Sequence, residues 1–525
     1  MSDMKGISNT GQTGNISNIS NISKHNDIGT KGELSEPGAA PVAIQLALIS
    51  HTNNGKTTLA RTLVGMDVGE VRDAAHVTVL AESHILVRTA QGDSLQLWDT
   101  PGFGDSVRLL RRLAHSSNPL GWFLREVLDR YRDRTFWLSQ NALRTARDSA
   151  DVVLYLVNSA EHPRDAGYLP AEMKILECLG KPVVVLLNQM GAPRPAREEL
   201  AEQARWQQHL AQYPIVRAVL ALDAFARCWV HERVFYDTIG GLLDAASQAG
   251  YARLFAAWEA SNAARFTQAM AITTDLLLAG ARDSEALALE QKSLLRSAMN
   301  AVGLRKGAEQ RSEQAMARLL ARLNTRIADS TGQLLALHKL DPGEAQAINA
   351  QVRRNFALRA PLDKAQAGLI GAVISGAATG LSADLLAGGL TLGGGALFGG
   401  VIGALGFAGA AWGFNASTDR SHPTVQFADD FLRTLLVAGM LRYLAIAHFG
   451  RGRGKFLDEA PAFWQAEVER ALIPHADALD QAWRAVRAET DAIKAAQALG
   501  AIVRGIAAAT LEQLYPDAAL LRARM

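Results

Sequence analysis

The run Leu48-Ile49-Ser50-His51-Thr52-Asn53-Asn54-Gly55-Lys56-Thr57-Thr58 constrains this chain more than any other stretch. It follows a short apolar segment, Val42–Ile49, that reads as a buried strand, and it opens a helix expected from Thr57 to Leu63. In that context the pattern G-x-x-x-x-G-K-[ST] means a loop whose backbone N–H groups cradle phosphate at a helix N-terminus. Lys56 would reach the β- and γ-phosphates, and Thr57 would ligate Mg²⁺. Ser50 stands where the first glycine of the pattern falls, which requires backbone angles there that are open to any residue.

The following segments repeat a strand–helix alternation. Leu80–Val87, Leu95–Trp98, Asp151–Val157, Pro182–Leu187 and the weaker Ile215–Leu222 read as strands. Pro170–Leu179 and Pro195–Ala211 read as helices between them. Continuous Val/Leu/Ile runs are what strands buried on both faces need, so a mostly parallel α/β sheet with helices on both sides is expected. Leu97-Trp98-Asp99-Thr100-Pro101-Gly102 ends one strand. A carboxylate there suits Mg²⁺ held through water, and the Gly102 N–H suits sensing of a γ-phosphate.

With both motifs in place, residues 42–245 resemble the Era/TrmE/septin-like class of translation-factor-related GTPases. The resemblance implies a P-loop NTPase fold that binds GTP or GDP with Mg²⁺. Its implied nucleotide contacts are Ser50, Asn53, Asn54, Gly55, Lys56, Thr57, Thr58, Asp99, Gly102, Asn188 and Gln189. Thr57, Asp99 and a switch threonine, Thr78, are the expected metal ligands. Lys56 and Asn53 are the expected catalytic residues, Asn53 matching the loop asparagine that helps hold K⁺ in the potassium-activated members, or serving only as a turn residue. Two positions depart from the class. Phe103 stands where Ras-like members carry a water-orienting glutamine. The base-reading Asn-Lys-x-Asp is Asn188-Gln189-Met190-Gly191, so the carboxylate that reads guanine is missing; Asp223 is a substitute to consider.

Beyond about residue 240 no convincing strand is seen. Asp283–Leu340, Gln426–His448 and Ala460–Leu514 are rich in helix formers, and an all-α C-terminal domain is expected over 249–525, after a G-domain over 41–248. Asp105–Ser149 reads as a helical insertion rich in Arg and Trp, any one of whose arginines is a candidate finger on the phosphates. Ala365–Asn415 is a Gly-rich apolar block with Asp384 as its only charge. It divides into segments at roughly 367–387 and 392–414, each near a bilayer span in length. Either a membrane hairpin or a soluble Ala/Gly hairpin fits. Residues 1–40, with Asn-Ile-Ser repeated at 15–23, are expected to be a disordered tail.

The net charge of +2 on 525 residues argues against a dedicated nucleic-acid binder. Two distant cysteines, Cys178 and Cys228, fit a reducing cytosol, with 365–415 as the candidate contact with an inner membrane. The glycine block, the Asp223–Trp229 run and the His448–Gly454 run together resemble the bacterial GTPase family with a C-terminal DUF3482 domain, over roughly 42–520. The expected function is a slow Mg²⁺-dependent GTPase switch coupled to its helical domain. A homodimer, a protein partner or membrane lipid would be the target. The alternative is a nucleotide-sensing or membrane-remodelling scaffold with little hydrolysis and relaxed base choice.

Overall fold

The computed structural model describes residues 40–65, 82–114, 134–191, 194–222, 228–286, 301–340, 412–415, 424–448, 461–488 and 491–516. The chain divides into Met1–Ala40 and Pro41–Met525, and the elements below belong to the second unit. Apart from Ala40, the expected tail lies outside the described residues.

Six strands form the first sheet: β1 (Ala43–Ser50), β2 (Glu82–Arg88), β3 (Ser94–Asp99), β4 (Val152–Asn158), β5 (Val183–Asn188) and β6 (Val216–Ala221), in the order β2-β3-β1-β4-β5-β6. All neighbours run parallel except β2, which is antiparallel to β3. The exception follows from chain length. Only Thr89–Asp93 joins β2 to β3, with Gly92 at φ +96°, and so short a link closes a hairpin, whereas a parallel pair needs a crossover. The edge strand β2 is mostly exposed, while β4 and β5 are buried almost throughout, as their unbroken apolar sequences require.

Side-chain alternation along the strands feeds two cores. On one face Ala47, Ile49, Tyr155, Val157 and Val185 pack with Leu109 of α2 (Ser106–Ala114), Leu143 of α3 (Arg134–Ser149), Met173 of α4 (Leu169–Glu177) and Trp206 of α5 (Ala196–Leu210). On the other, Leu46, Leu48, Leu154 and Leu186 pack with Leu59 of α1 (Lys56–Val64), Phe235 of α6 (Trp229–Leu242), and Leu254 and Trp258 of α7 (Ala245–Arg282). Within the expected insertion the described parts are thus helical, and residues 115–133 lie outside the described residues.

The 38-residue α7 links the sheet to a separate helical core. Asp244 caps it, accepting from the Ser247 N–H at 2.9 Å. Its first turns press on the sheet; Gly250 allows this, since a Cβ there would lie 2.6 Å from the Val42 side chain. Asp93, fully buried, receives the Val42 N–H at 3.0 Å and both Nε and Nη2 of Arg253 at 2.7 Å. Further along, Phe266, Met270 and Leu277 join α8 (Ala301–Leu337), α9 (Asp429–Ala447), α10 (Ala462–Leu472), α11 (Ala476–Ala488) and α12 (Ala492–Leu514). Residue 248 therefore falls inside one continuous helix.

The C-terminal region is mostly helical, not wholly so. A small antiparallel sheet, β7 (Ser284–Ala286), β8 (Trp412–Asn415) and β9 (Thr424–Phe427), runs in the order β7-β9-β8. Strands of three or four residues are too short to leave a periodic signature, and the end of the expected apolar segment 392–414 is strand from Trp412 on. Their extended form follows from pairing with β9. The rest of the Gly-rich hairpin, 365–411, lies outside the described residues. Among the described residues α12 alone is long and apolar enough to cross a membrane. Its Leu499, Val503, Ile506 and Leu511 are buried in the helical core, and a third of its most apolar window is buried in all.

Candidate functional site

The turn from β1 into α1 is built on two left-handed residues, Asn53 at φ +66° and Gly55 at φ +82°. Asn tolerates that region, and Gly is suited to it. Ser50 is not among the positive-φ residues, so serine needs no strain at the first position of the pattern. No side chain caps the N-terminus of α1 and its first turn holds no acid, which leaves the end of the helix dipole to an anion.

Lys56 is buried beneath this turn and donates from Nζ to Ser50 Oγ at 2.9 Å. Burial pushes its ammonium down to about 8, against the opposing fields of Asp99 and Glu172. Thr57 Oγ1 donates to Asp99 Oδ2 at 2.6 Å. Burial raises the Asp99 carboxyl, and its Oδ1 is buried with no hydrogen-bond partner. A carboxylate oxygen left unpaired in a buried place, beside a threonine hydroxyl, fits a hard divalent cation. Among the described residues no group of three His, Cys, Asp or Glu could hold a metal, so an ion here would complete its shell with phosphate or water.

The strand end is sewn to the loop. Thr100 Oγ1 donates to the Leu48 carbonyl at 2.6 Å, the Phe103 N–H to the Ser50 carbonyl at 2.9 Å, and Thr52 Oγ1 to the Phe103 carbonyl at 2.8 Å. Gly102 sits so close that a Cβ would lie 2.9 Å from Lys56 Nζ and 3.2 Å from Thr52 Cα. Phe103 is fully buried in the sheet core and does not face the loop opening.

Asn188 and Gln189 lie under the loop. Asn188, fully buried, donates from Nδ2 to the Asn54 carbonyl at 2.8 Å, and Gln189 Nε2 donates to the Asn53 carbonyl at 3.3 Å. Asn54 in turn donates from Nδ2 to the Leu156 carbonyl at 3.1 Å. Gln189 and Gly191 both have positive φ, so the backbone favours glycine where the class pattern has its carboxylate. Thr78 and Asp223 lie outside the described residues.

One group beneath the loop was missed by motif reading. Glu172, fully buried on α4, accepts from Tyr155 OH on β4 and bonds His51 Nδ1 at 2.7 Å, and His51 stacks on Tyr168 at 4.4 Å. The one signal available was a glutamate inside the apolar helix segment Leu169–Glu177.

A phosphate-loop turn between β1 and α1, an acid at the end of β3 and this strand order define a P-loop GTPase domain. Residues 45–189 match the model of a family described as 50S ribosome-binding GTPase. Residues 207–511, more than half of the chain, match the domain of unknown function DUF3482. The chain therefore belongs to the DUF3482 family and carries its GTPase domain ahead of that region. No curated protein matches it. Similar solved structures include a variant Era of Aquifex aeolicus bound to GDP and aluminium fluoride, at 18% identity and TM-score 0.26, covering 35% of this chain and 51% of that one. A bacterial selenocysteine-specific elongation factor is 14% identical at TM-score 0.23, covering 35% and 26%. The chain thus spans about half the length of the Era structure. Likeness this weak leaves the fold to be argued from the chain's own strand order and loop.

Proposed function

We propose that the chain is a GTP-binding protein and slow Mg²⁺-dependent GTPase that works as a switch on its helical region. The observation that carries this is the convergence of Lys56, Thr57 and the unpaired Oδ1 of Asp99 at the open head of α1. In this reading Gly55, Lys56, Thr57 and Thr58 present N–H groups to the phosphates, and Lys56 neutralises charge that develops on the γ-phosphoryl. Thr57 and Asp99 would hold Mg²⁺, which would supply Lewis-acid stabilisation of negative charge on the phosphates. Asn53, at the rim, is the proposed K⁺ contact, and Asn188 and Gln189 are the proposed base contacts.

The proposed division is a tail over 1–40, a G-domain over 41–248 and a helical domain over 249–525. The route between domains is β3. It ends at Asp99 and follows Asp93, which α7 grips through Arg253. A γ-phosphate that pulls on Gly102 would strain both ends of that strand. Attachment to an inner membrane through 365–415 rests on the composition of that block.

A second reading, a nucleotide sensor with little turnover and relaxed base choice, is favoured by two facts. Phe103 is core rather than water-facing, and Gly191 offers no carboxylate. Steady-state hydrolysis by the full chain separates the two. The first reading expects phosphate release that requires Mg²⁺, rises in K⁺ over Na⁺, and is lost in Lys56→Ala. Stoichiometric binding without multiple turnovers would support the sensor.

A further inference from the structure

A separate cleft of about 370 Å³ lies at the far end of α1 from the phosphate loop, between β2, the first half of α6, the middle of α7 and the C-terminal ends of α8 and α9. That volume lies in the range of small-molecule sites. One wall is aromatic: half-buried Trp229 lines it, backed by Tyr236 and Trp258, which are buried and packed on each other at 4.3 Å. The opposite character comes from Arg88 and Arg265. Among the described residues Arg88, exposed at the end of β2, has no hydrogen-bond or ion-pair partner. Arg265, half-buried, bonds a neutral group, Asn262 Oδ1 at 3.0 Å, and no carboxylate. Among the described residues Glu232 is the one carboxylate lining the cleft, and it has a partner of its own.

His338 adds a third kind of contact. Its Nδ1 lies 2.9 Å from the Leu334 carbonyl, which can only accept, so Nδ1 donates and the neutral ring keeps Nε2 as an acceptor. Burial, with Arg265 nearby, pushes this imidazole down to about 4, so it is neutral at pH 7. Among the described residues the cleft thus offers one partly open indole, positive charge without a carboxylate partner and one hydrogen-bond acceptor.

From these groups we infer that the cleft is a binding site for a small aromatic anion, distinct from the phosphate loop. The Trp229 indole takes the flat part of the ligand, Arg88 and Arg265 its acidic group, and His338 a ligand N–H or O–H. The inference does not depend on nucleotide binding at α1.

The test is a fluorescence titration of the full chain with 8-anilinonaphthalene-1-sulfonate, a flat aromatic sulfonate, at pH 7. Saturable binding at one site is expected, with affinity about tenfold weaker in Arg265→Ala and in Arg88→Ala. Excess GTP with Mg²⁺ should not displace the probe. Should Arg265→Ala unfold, Arg88→Ala decides, because that side chain is exposed and has no hydrogen-bond or ion-pair partner among the described residues. Non-saturating binding, affinity unchanged in the folded arginine variants, or displacement by GTP would each overturn the inference.

Discussion

Gly55→Ala and Gly65→Ala, at the two ends of α1, together separate backbone strain from a clash inside the site. Gly55 has φ +82° and ψ 27°, where any Cβ costs about 1–2 kcal/mol. An added Cβ would also lie 2.6 Å from Asn188 Nδ2. That amide is fully buried and donates to the Asn54 carbonyl, so making room breaks the bond. A buried polar group left unpaired costs about 1–3 kcal/mol more. Gly65 has φ +69° with no described atom within 4 Å of its added Cβ, so it carries the strain cost alone. Urea unfolding of the full chain should show a loss of about 2–5 kcal/mol for Gly55→Ala and about 1–2 kcal/mol for Gly65→Ala. Affinity for Mg²⁺-GTP should fall about tenfold or more in the first and stay unchanged in the second. Equal losses of stability, or an unweakened Gly55→Ala, would refute the placement of Asn188 beneath the loop.

Lys56 gives a pH signature. Its folded value of about 8 lies below the ordinary 10.5, so the folded state holds that proton less tightly than the unfolded one. The nucleotide-free chain should therefore gain stability, about 3 kcal/mol at most, as pH rises from about 8 to 10.5, and Lys56→Met should lose this component in urea midpoints taken across that range. Asp93 runs the other way. Arg253 holds its carboxyl down at about 2, so its contribution is present above about pH 4 and fades as pH falls toward 2. Asp93→Asn should cost about 1–2 kcal/mol at pH 7, after allowance for solvent at the arginine, and the gap from wild type should narrow as pH falls from about 4 to 2. Glu172→Leu leaves Tyr155 OH and His51 without their acceptor and should cost about 2–4 kcal/mol, while Glu172→Gln keeps an acceptor and should cost less.

The G-domain was legible because its signals are local. Unbroken runs such as Val183–Leu187 state burial on both faces, and Gly55-Lys56-Thr57 after a strand states the turn. That Thr57 meets Asp99 across 42 positions follows from the parallel pairing of β1 with β3, which places both strand ends side by side. The antiparallel β2 was not legible, since its direction depends on a short link and not on its own residues. Glu172 beneath His51, and Arg253 on Asp93 across 160 positions, are pairings that only tertiary packing creates. The sheet β7-β9-β8 escaped because segments of three or four residues carry no period. Asn188, expected to contact the base, donates to the Asn54 carbonyl and so supports the loop, a role the motif does not state.

The central claim is that the head of α1 binds a guanine nucleotide through Lys56, with Mg²⁺ held by Thr57 and Asp99. Equilibrium binding of GTP, GDP, ATP and XTP to the full chain, with and without Mg²⁺, tests it most directly. Micromolar GTP or GDP binding that excludes ATP, needs Mg²⁺ for the triphosphate, and is lost in Lys56→Ala is the expected result. Equal binding of all four would contradict guanine choice, and no binding at all would contradict the site itself.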